Sequence, residues 1–209
     1  VGSEICIRDR TTIRPDILGT LVAVARIQST DASNRIEGIS TSDSRLNNLV
    51  SEKVTPRNRN EEEIAGYRDA LSVIHESHDY IPITPNVILQ LHRDLFRHTP
   101  LTVAGHFKDS DNVIIERDAH GTSTVRFAPP SALVTPELIE RACSAYTQAI
   151  RDGHTDPLLA IAMFILDFTC IHPFNDGNGR MSRLLTLLML YRNGSVSYTH
   201  LTLPTICSV

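Results

Sequence analysis

The chain has 209 residues, enough for one sizeable domain with its own core or at most two small ones. Apolar residues make up 41% and charged residues 21%, the formal net charge is -4 and the pI is near 6.1. That balance excludes a global basic field for nucleic acid or an anionic membrane, so any polyanion must be held by a local site. Cys6, Cys143, Cys170 and Cys207 lie far apart without a C-x-x-C pair. This argues against a disulfide framework or a zinc site and for a reducing, cytoplasmic setting.

In chain order, the segment from Arg14 to Gln28 carries apolar residues at Ile17, Leu18, Leu21, Val24, Ala25 and Ile27, close to the helical period. Asn60 followed by Glu63 predicts an N-cap with a capping box and a helix running through Ile74. Thr84-Pro85 places a cap and an N1 proline ahead of NVILQLHRDLFRH. The same device recurs at Thr135-Pro136-Glu137 and at Asp156-Pro157. The helix opened by Asp156-Pro157 is apolar on nearly every face, which predicts a rod through the middle of a bundle with Cys170 as a small buried hydrophobe. Pro157 to Ile171 is interrupted by Asp167 and is shorter than a bilayer span, so no membrane is implied. A last helix is expected from Asn178, carrying Leu184, Leu185, Leu187, Leu188 and Leu190.

One stretch departs from this pattern. Asn112 to Glu116 and Ser123 to Phe127 are short β-prone runs flanking Asp118-Ala119-His120-Gly121, and they read as a hairpin. A lone hairpin is marginal in water, so it should lean on the helices, and its free edge could pair with an incoming peptide. A surface hairpin with no such role fits the pattern equally well. The expected fold class is therefore mainly α: a helical bundle with a small β-hairpin. The chain opens at Val1 without a methionine, and the stretch from Val196 to Thr205 resembles a translated sequencing adapter. The expectation is one domain over residues 1–195, truncated at its C-terminal side, with 196–209 non-native.

The chemistry concentrates between His172 and Arg183 (HPFNDGNGRMSR). Two glycines around Asn178 let successive backbone N–H groups turn inward into a concave anion site. The following helix adds its unpaired N–H groups and positive dipole end. Arg180 and Arg183 stand in the first turns, where the dipole disfavours cations by roughly 0.3–1 kcal/mol each, a placement that makes sense if polyphosphate binds. Asp176 offers a hard oxygen for Mg²⁺ shared with phosphate, and His172 can accept a proton near neutral pH. Each part also has a bland reading: a structural histidine before proline, a helix-entry turn, solvated arginines. Their conjunction indicates phosphoryl-type or nucleotidyl transfer.

These residues resemble the Fic family signature, H-x-F-x-[DE]-G-N-G-R-x-x-R, at every specified position. ILQLHRDLF (88–96), GHFK (105–108) and VRFAPP (125–130) are similar to the same family, so the likeness spans roughly Ile17 to Gly194. The resemblance implies a Fic fold and a protein adenylyltransferase moving AMP from ATP to a target hydroxyl. It implies His172 as base, Phe174 as anchor of the loop in the core and Asp176 as metal holder. Gly177, Asn178 and Gly179 would cradle phosphates that Arg180 and Arg183 neutralise. The hairpin, through Asn112, Val113, Ile114, Ile115, Val125 and Phe127, would be a flap aligning the target segment. Ser33-Asn34-Arg35-Ile36-Glu37-Gly38 resembles the family's inhibitory motif, [ST]-x-x-x-E-[GN], in the subgroup whose inhibitory helix (about 29–38) is N-terminal. It implies Ser33, Glu37 and Gly38 as a brake, with Glu37 occupying Arg183. The implied partners are ATP, a protein substrate, the chain itself as substrate and a second copy in a homodimer, without direct nucleic acid. The alternatives at this point are removal of AMP, transfer of another phosphate-containing group, a silent nucleotide-binding module and a DNA-linked or toxin–antitoxin regulator.

Overall fold

The computed structural model describes residues 15–100, 104–117, 121 and 123–195. Cys6 and Cys207, the start of the first predicted helix, most of the polar hairpin loop and the 196–209 tail lie outside them. Seven helices and one hairpin follow in the order α1 (Pro15–Ile36), α2 (Asp43–Val50), α3 (Arg59–Ser77), α4 (Pro85–Leu95), β1 (Ile114–Arg117), β2 (Ser123–Phe127), α5 (Thr135–Asp152), α6 (Pro157–Ile171) and α7 (Asn178–Arg192). The mainly α class holds, with one two-stranded antiparallel sheet.

Local signals explain most of the boundaries. Asp156 accepts the Leu158 N–H at 2.8 Å and Thr84 accepts the Val87 N–H at 3.4 Å, each ahead of an N1 proline. Two cap expectations need correction. Helix α3 is capped by Asn58, which accepts from the Glu61 N–H at 3.0 Å; Asn60 lies inside the helix, and Glu63 turns to arginines instead of closing a box. Thr135 donates to the Ser131 carbonyl at 2.9 Å and caps nothing.

The main core gathers α3–α7 around Leu71, Ile74, Ile88, Leu95, Phe168, Phe174, Met181, Leu184 and Leu188. A smaller cluster of Ile39, Leu46, Leu49 and Ile64 seats α2 and the end of α1 against α3. Helices α3 and α4 touch at Gly66, where any Cβ would overlap the Leu95 backbone carbonyl. The bundle's middle is taken by α3 and α7, not by α6. Leu158, Leu159, Met163 and Leu166 of α6 are each more than half exposed, and Cys170 is exposed while Cys143 is buried. The α6 expectation failed because hydropathy registers residue type and cannot register neighbours. One side of α6 packs on α5 and α7, and among the described residues nothing covers the other.

Candidate active site

The loop between α6 and α7 is built from inside outward. Phe174 is fully buried, stacked on His92 with ring centroids 3.8 Å apart and planes within 2°. Its backbone is closed on Asn178: the Phe174 N–H donates to Asn178 Oδ1 at 2.9 Å, and Asn178 Nδ2 donates to the Phe174 carbonyl at 2.7 Å. The Asn178 side chain thus shapes the loop, leaving main-chain N–H groups to face a ligand. Gly177 has φ +80°, and a side chain there would meet the Phe96 ring at 2.9 Å, so position and packing both require glycine.

His92 clamps the loop from below. Its Nδ1 accepts the Gly105 N–H at 2.9 Å, which leaves Nε2 to donate to the Asp176 carbonyl at 3.1 Å. Burial pushes its pKa down to about 4, keeping the ring neutral. Apolar spacing in α4 puts position 92 on the face shared with Ile88, Leu91 and Leu95. That was the available signal, and as a candidate functional residue His92 was missed.

His172 occupies the C-cap of α6 in the left-handed region (φ 49°, ψ 63°), where glycine is the usual resident. There its imidazole is partly buried, at the junction of α6 and the loop. Burial first, then the Lys108 charge, lower the His172 pKa, favouring the neutral ring that a base needs.

The two arginines differ sharply. Arg180 is 1% exposed, lies 5.0 Å over the Phe96 ring and has NH1 2.8 Å from Glu63 Oε2. That contact is poorly aligned as a hydrogen bond, and neither Arg180 Nε nor NH1 has a hydrogen-bond partner among the described residues. Glu63 also holds Arg59 at 2.8 Å. Arg183 instead reaches across to the end of α1. Its Nε donates to Ser33 Oγ at 2.7 Å, and its NH2 donates to the Ser33 carbonyl at 3.0 Å and to Glu37 Oε1 at 2.7 Å. The same carboxylate oxygen crowds the first turn of α7 so closely that a Cβ on Gly179 would overlap it.

Glu37 is delivered there by backbone geometry. The Ile39 N–H bonds the Asn34 carbonyl at 3.0 Å and the Gly38 N–H bonds the Arg35 carbonyl at 2.9 Å, with Gly38 at φ +76°. This is a Schellman ending of α1, sealed by Ile39 in the smaller core. The inhibitory segment anticipated at 29–38 is therefore the last turns of one continuous helix.

Asp176 is half exposed; its Oδ1 accepts the Gly177 N–H at 2.6 Å, with Arg180 and Arg59 nitrogens at 3.8 and 3.9 Å. Among the described residues no three His, Cys, Asp or Glu side chains gather into a metal cage. A single accessible carboxylate suits a Mg²⁺ ion completed by water and nucleotide oxygens, and does not suit one held by protein alone.

The hairpin pairs Ile114 with Phe127, Ile115 with Val125, Glu116 with Thr124 and Arg117 with Ser123, with a register shift after Ile114. Val113, Ile115, Val125 and Phe127 are all exposed. Contrary to the expectation that it leans on the helices, it is attached mainly at its root.

A helical bundle with a tight glycine turn between two packed helices, opened by a histidine in a left-handed turn, defines the class of this domain. Residues 82–190, slightly more than half of the chain, match the Fic/DOC family, and the chain belongs to that family. It is 37% identical over 89 residues to a Fido domain-containing protein of Dictyostelium discoideum, covering 41% of this chain and 57% of that protein. It is 28% identical over 144 residues to the protein adenylyltransferase fic-1 of Caenorhabditis elegans, covering 65% of this chain and 25% of the relative. A Fic domain-containing signaling protein from Bacteroides thetaiotaomicron superposes with TM-score 0.79 at 22% identity, over 96% of this chain and 76% of the other. The chain thus spans little more than half the length of one curated relative and a quarter of the other. No helix among the described residues is long and apolar enough to cross a membrane.

Proposed function

We propose that the chain is a Fic-type transferase that moves AMP from ATP onto a hydroxyl of a target protein and is restrained by Glu37. The observation that carries this reading is the placement of His172: a neutral imidazole in a strained left-handed turn, beside a glycine turn that opens the N-terminus of α7. His172 takes the proton of the target hydroxyl as its oxygen attacks the α-phosphorus; the bond to the bridging oxygen breaks and pyrophosphate leaves. The main-chain N–H groups of Asn178, Gly179 and Arg180 receive the phosphates. Arg183 neutralises the terminal phosphate with its planar fork. Arg180 contributes its charge from beneath, fixed between Glu63 and Phe96. A Mg²⁺ ion on Asp176 would offset phosphate charge; the chain's part is one correctly aimed carboxylate.

Glu37 acts as an internal stand-in for phosphate. Its carboxylate pairs with Arg183 over the first turn of α7, where the helix dipole and the arginine both favour an anion. A terminal phosphate seeking the same place must displace it. The reading is supported by membership of the family and by a relative named for adenylyl transfer.

The test is incubation of wild type and Glu37→Gly with Mg²⁺ and ATP, followed by intact mass. The expected result is gain of one AMP unit on Glu37→Gly, abolished by adding His172→Ala. A folded Glu37→Gly protein that binds ATP and gains nothing overturns the proposal.

A further inference from the structure

Lys108 is 3% exposed and forms no ion pair among the described residues, although the Asp111 carboxylate acts on its charge from farther off. Burial disfavours its charge, and with Asp111 beyond contact the nearer surroundings must offset that cost. Its Nζ donates to the Ile171 carbonyl at 3.1 Å and to Asn112 Oδ1 at 3.1 Å, while its backbone N–H donates to the Pro173 carbonyl at 2.8 Å. Ile171 is the last residue of α6, where a cation suits both the unpaired carbonyl and the negative dipole end.

The next residue is His172. A non-glycine side chain in the left-handed region costs on the order of 1–3 kcal/mol and persists only where neighbours over-determine it. Lys108 is one such neighbour, gripping the chain on both sides of His172. The same grip continues outward. Asn112 Nδ2 donates to the Phe174 carbonyl at 3.4 Å, and Asn175 Nδ2 donates to Asp109 Oδ1 at 3.1 Å. Asp111 Oδ1 accepts the Ala132 N–H at 2.7 Å, closing the other root of the hairpin. Residues 108–112 therefore lace the foot of strand β1 to the loop at 171–175, whereas the hairpin beyond this foot is exposed.

We propose that Lys108 is a positioning residue that couples the hairpin to His172, fixing the left-handed turn and the foot of β1 as one unit through Ile171 and Asn112. The inference rests on the transfer reading for the purpose of that coupling: a hydroxyl held along the hairpin edge arrives in register with the imidazole. The mechanical coupling itself can be tested without it.

In the Glu37→Gly background, Lys108→Met, Lys108→Arg and Asn112→Ala are compared by amide hydrogen exchange, ATP affinity and rate of self-labelling with AMP. For Lys108→Met, exchange should quicken about tenfold both at the His172 and Phe174 amides and along Ile114–Arg117. Its ATP affinity should stay within about twofold while labelling slows about tenfold or more, the signature of misplacement without lost binding. Lys108→Arg should recover much of both. If Lys108→Met does not fold, Asn112→Ala carries the test, with faster exchange in β1 and slower labelling. Exchange that quickens on one side only, or ATP affinity that falls in step with labelling, overturns the coupling. If the parent Glu37→Gly protein binds ATP but never labels, the transfer reading has failed, and the exchange data still decide the role of Lys108.

Discussion

The loop at 172–178 and the hairpin at 114–127 lie side by side in space and are stabilised in opposite ways. The loop is short, its carbonyls at Pro173, Phe174 and Asp176 are hydrogen-bonded, and its anchor Phe174 has no exposed surface. The hairpin exposes apolar side chains along both strands and takes its orientation from its foot. The difference teaches that the fold separates two kinds of support. The loop is held by packing, and the hairpin by a few hydrogen bonds at one end; in the proposed reaction the first meets the phosphorus atom and the second receives the target.

The largest effect expected from breaking this contrast is in the loop's chemistry. His172→Ala should lower AMP transfer by about two to four powers of ten, the usual reach of a general base, with thermal stability nearly unchanged. Single-turnover labelling in the Glu37→Gly background measures it. Phe174→Ala should cost about 3–5 kcal/mol in urea unfolding, since an enclosed aromatic ring is deleted and the His92 stack lost. In the hairpin, Val125→Ser should move unfolding by no more than about 0.5 kcal/mol, because the side chain is already in water. A Val125→Ser cost near that of Phe174→Ala would erase the distinction.

A prediction of intermediate size sits outside both regions and calibrates them. His75 accepts from or donates to the Tyr191 hydroxyl at 2.9 Å, and burial, then the Arg26 charge, push its pKa down to about 4. The unfolded chain binds that proton near pH 6.5 and the folded chain does not, so stability present above pH 6.5 is lost as pH falls toward 4. The loss should be on the order of 3 kcal/mol at full titration. His75→Gln should flatten that part of the stability–pH curve, and an unchanged slope would remove His75 as its source. His172→Gly tests the turn itself: it should relieve left-handed strain and raise stability by about 1 kcal/mol in urea unfolding while abolishing transfer.

Much of the fold could be read from residues whose signals are local. Asp156 and Thr84 announce helix starts because a cap needs only its own next turn, and the glycines around Asn178 mark a turn for the same reason. What stayed hidden depends on neighbours distant in sequence. Glu63 faces Arg180, which lies far along the chain, instead of closing a box at the start of α3. The burial of Arg180 over Phe96 could not be read from its place in the first turn of α7. Lys108, in GHFK, showed only a basic residue after an aromatic one; its burial arises from the α6 terminus folding back on it. The exposure of Leu159, Met163 and Leu166 was illegible because nothing in a helix's own composition says what lies beside it.

The Schellman ending of α1 has a further consequence. The stretch that stops the helix is also the stretch that carries Glu37, so fraying of that single turn would withdraw the carboxylate from Arg183 with the bundle intact. Frayed ends open at free energies far below that of global unfolding. Gentle warming, or urea well short of the melting transition, should therefore quicken labelling of the wild-type chain before any loss of helicity. Catalytic output would then respond to how firmly one short coil is wound, tying the throttle to local softness instead of to a large rearrangement.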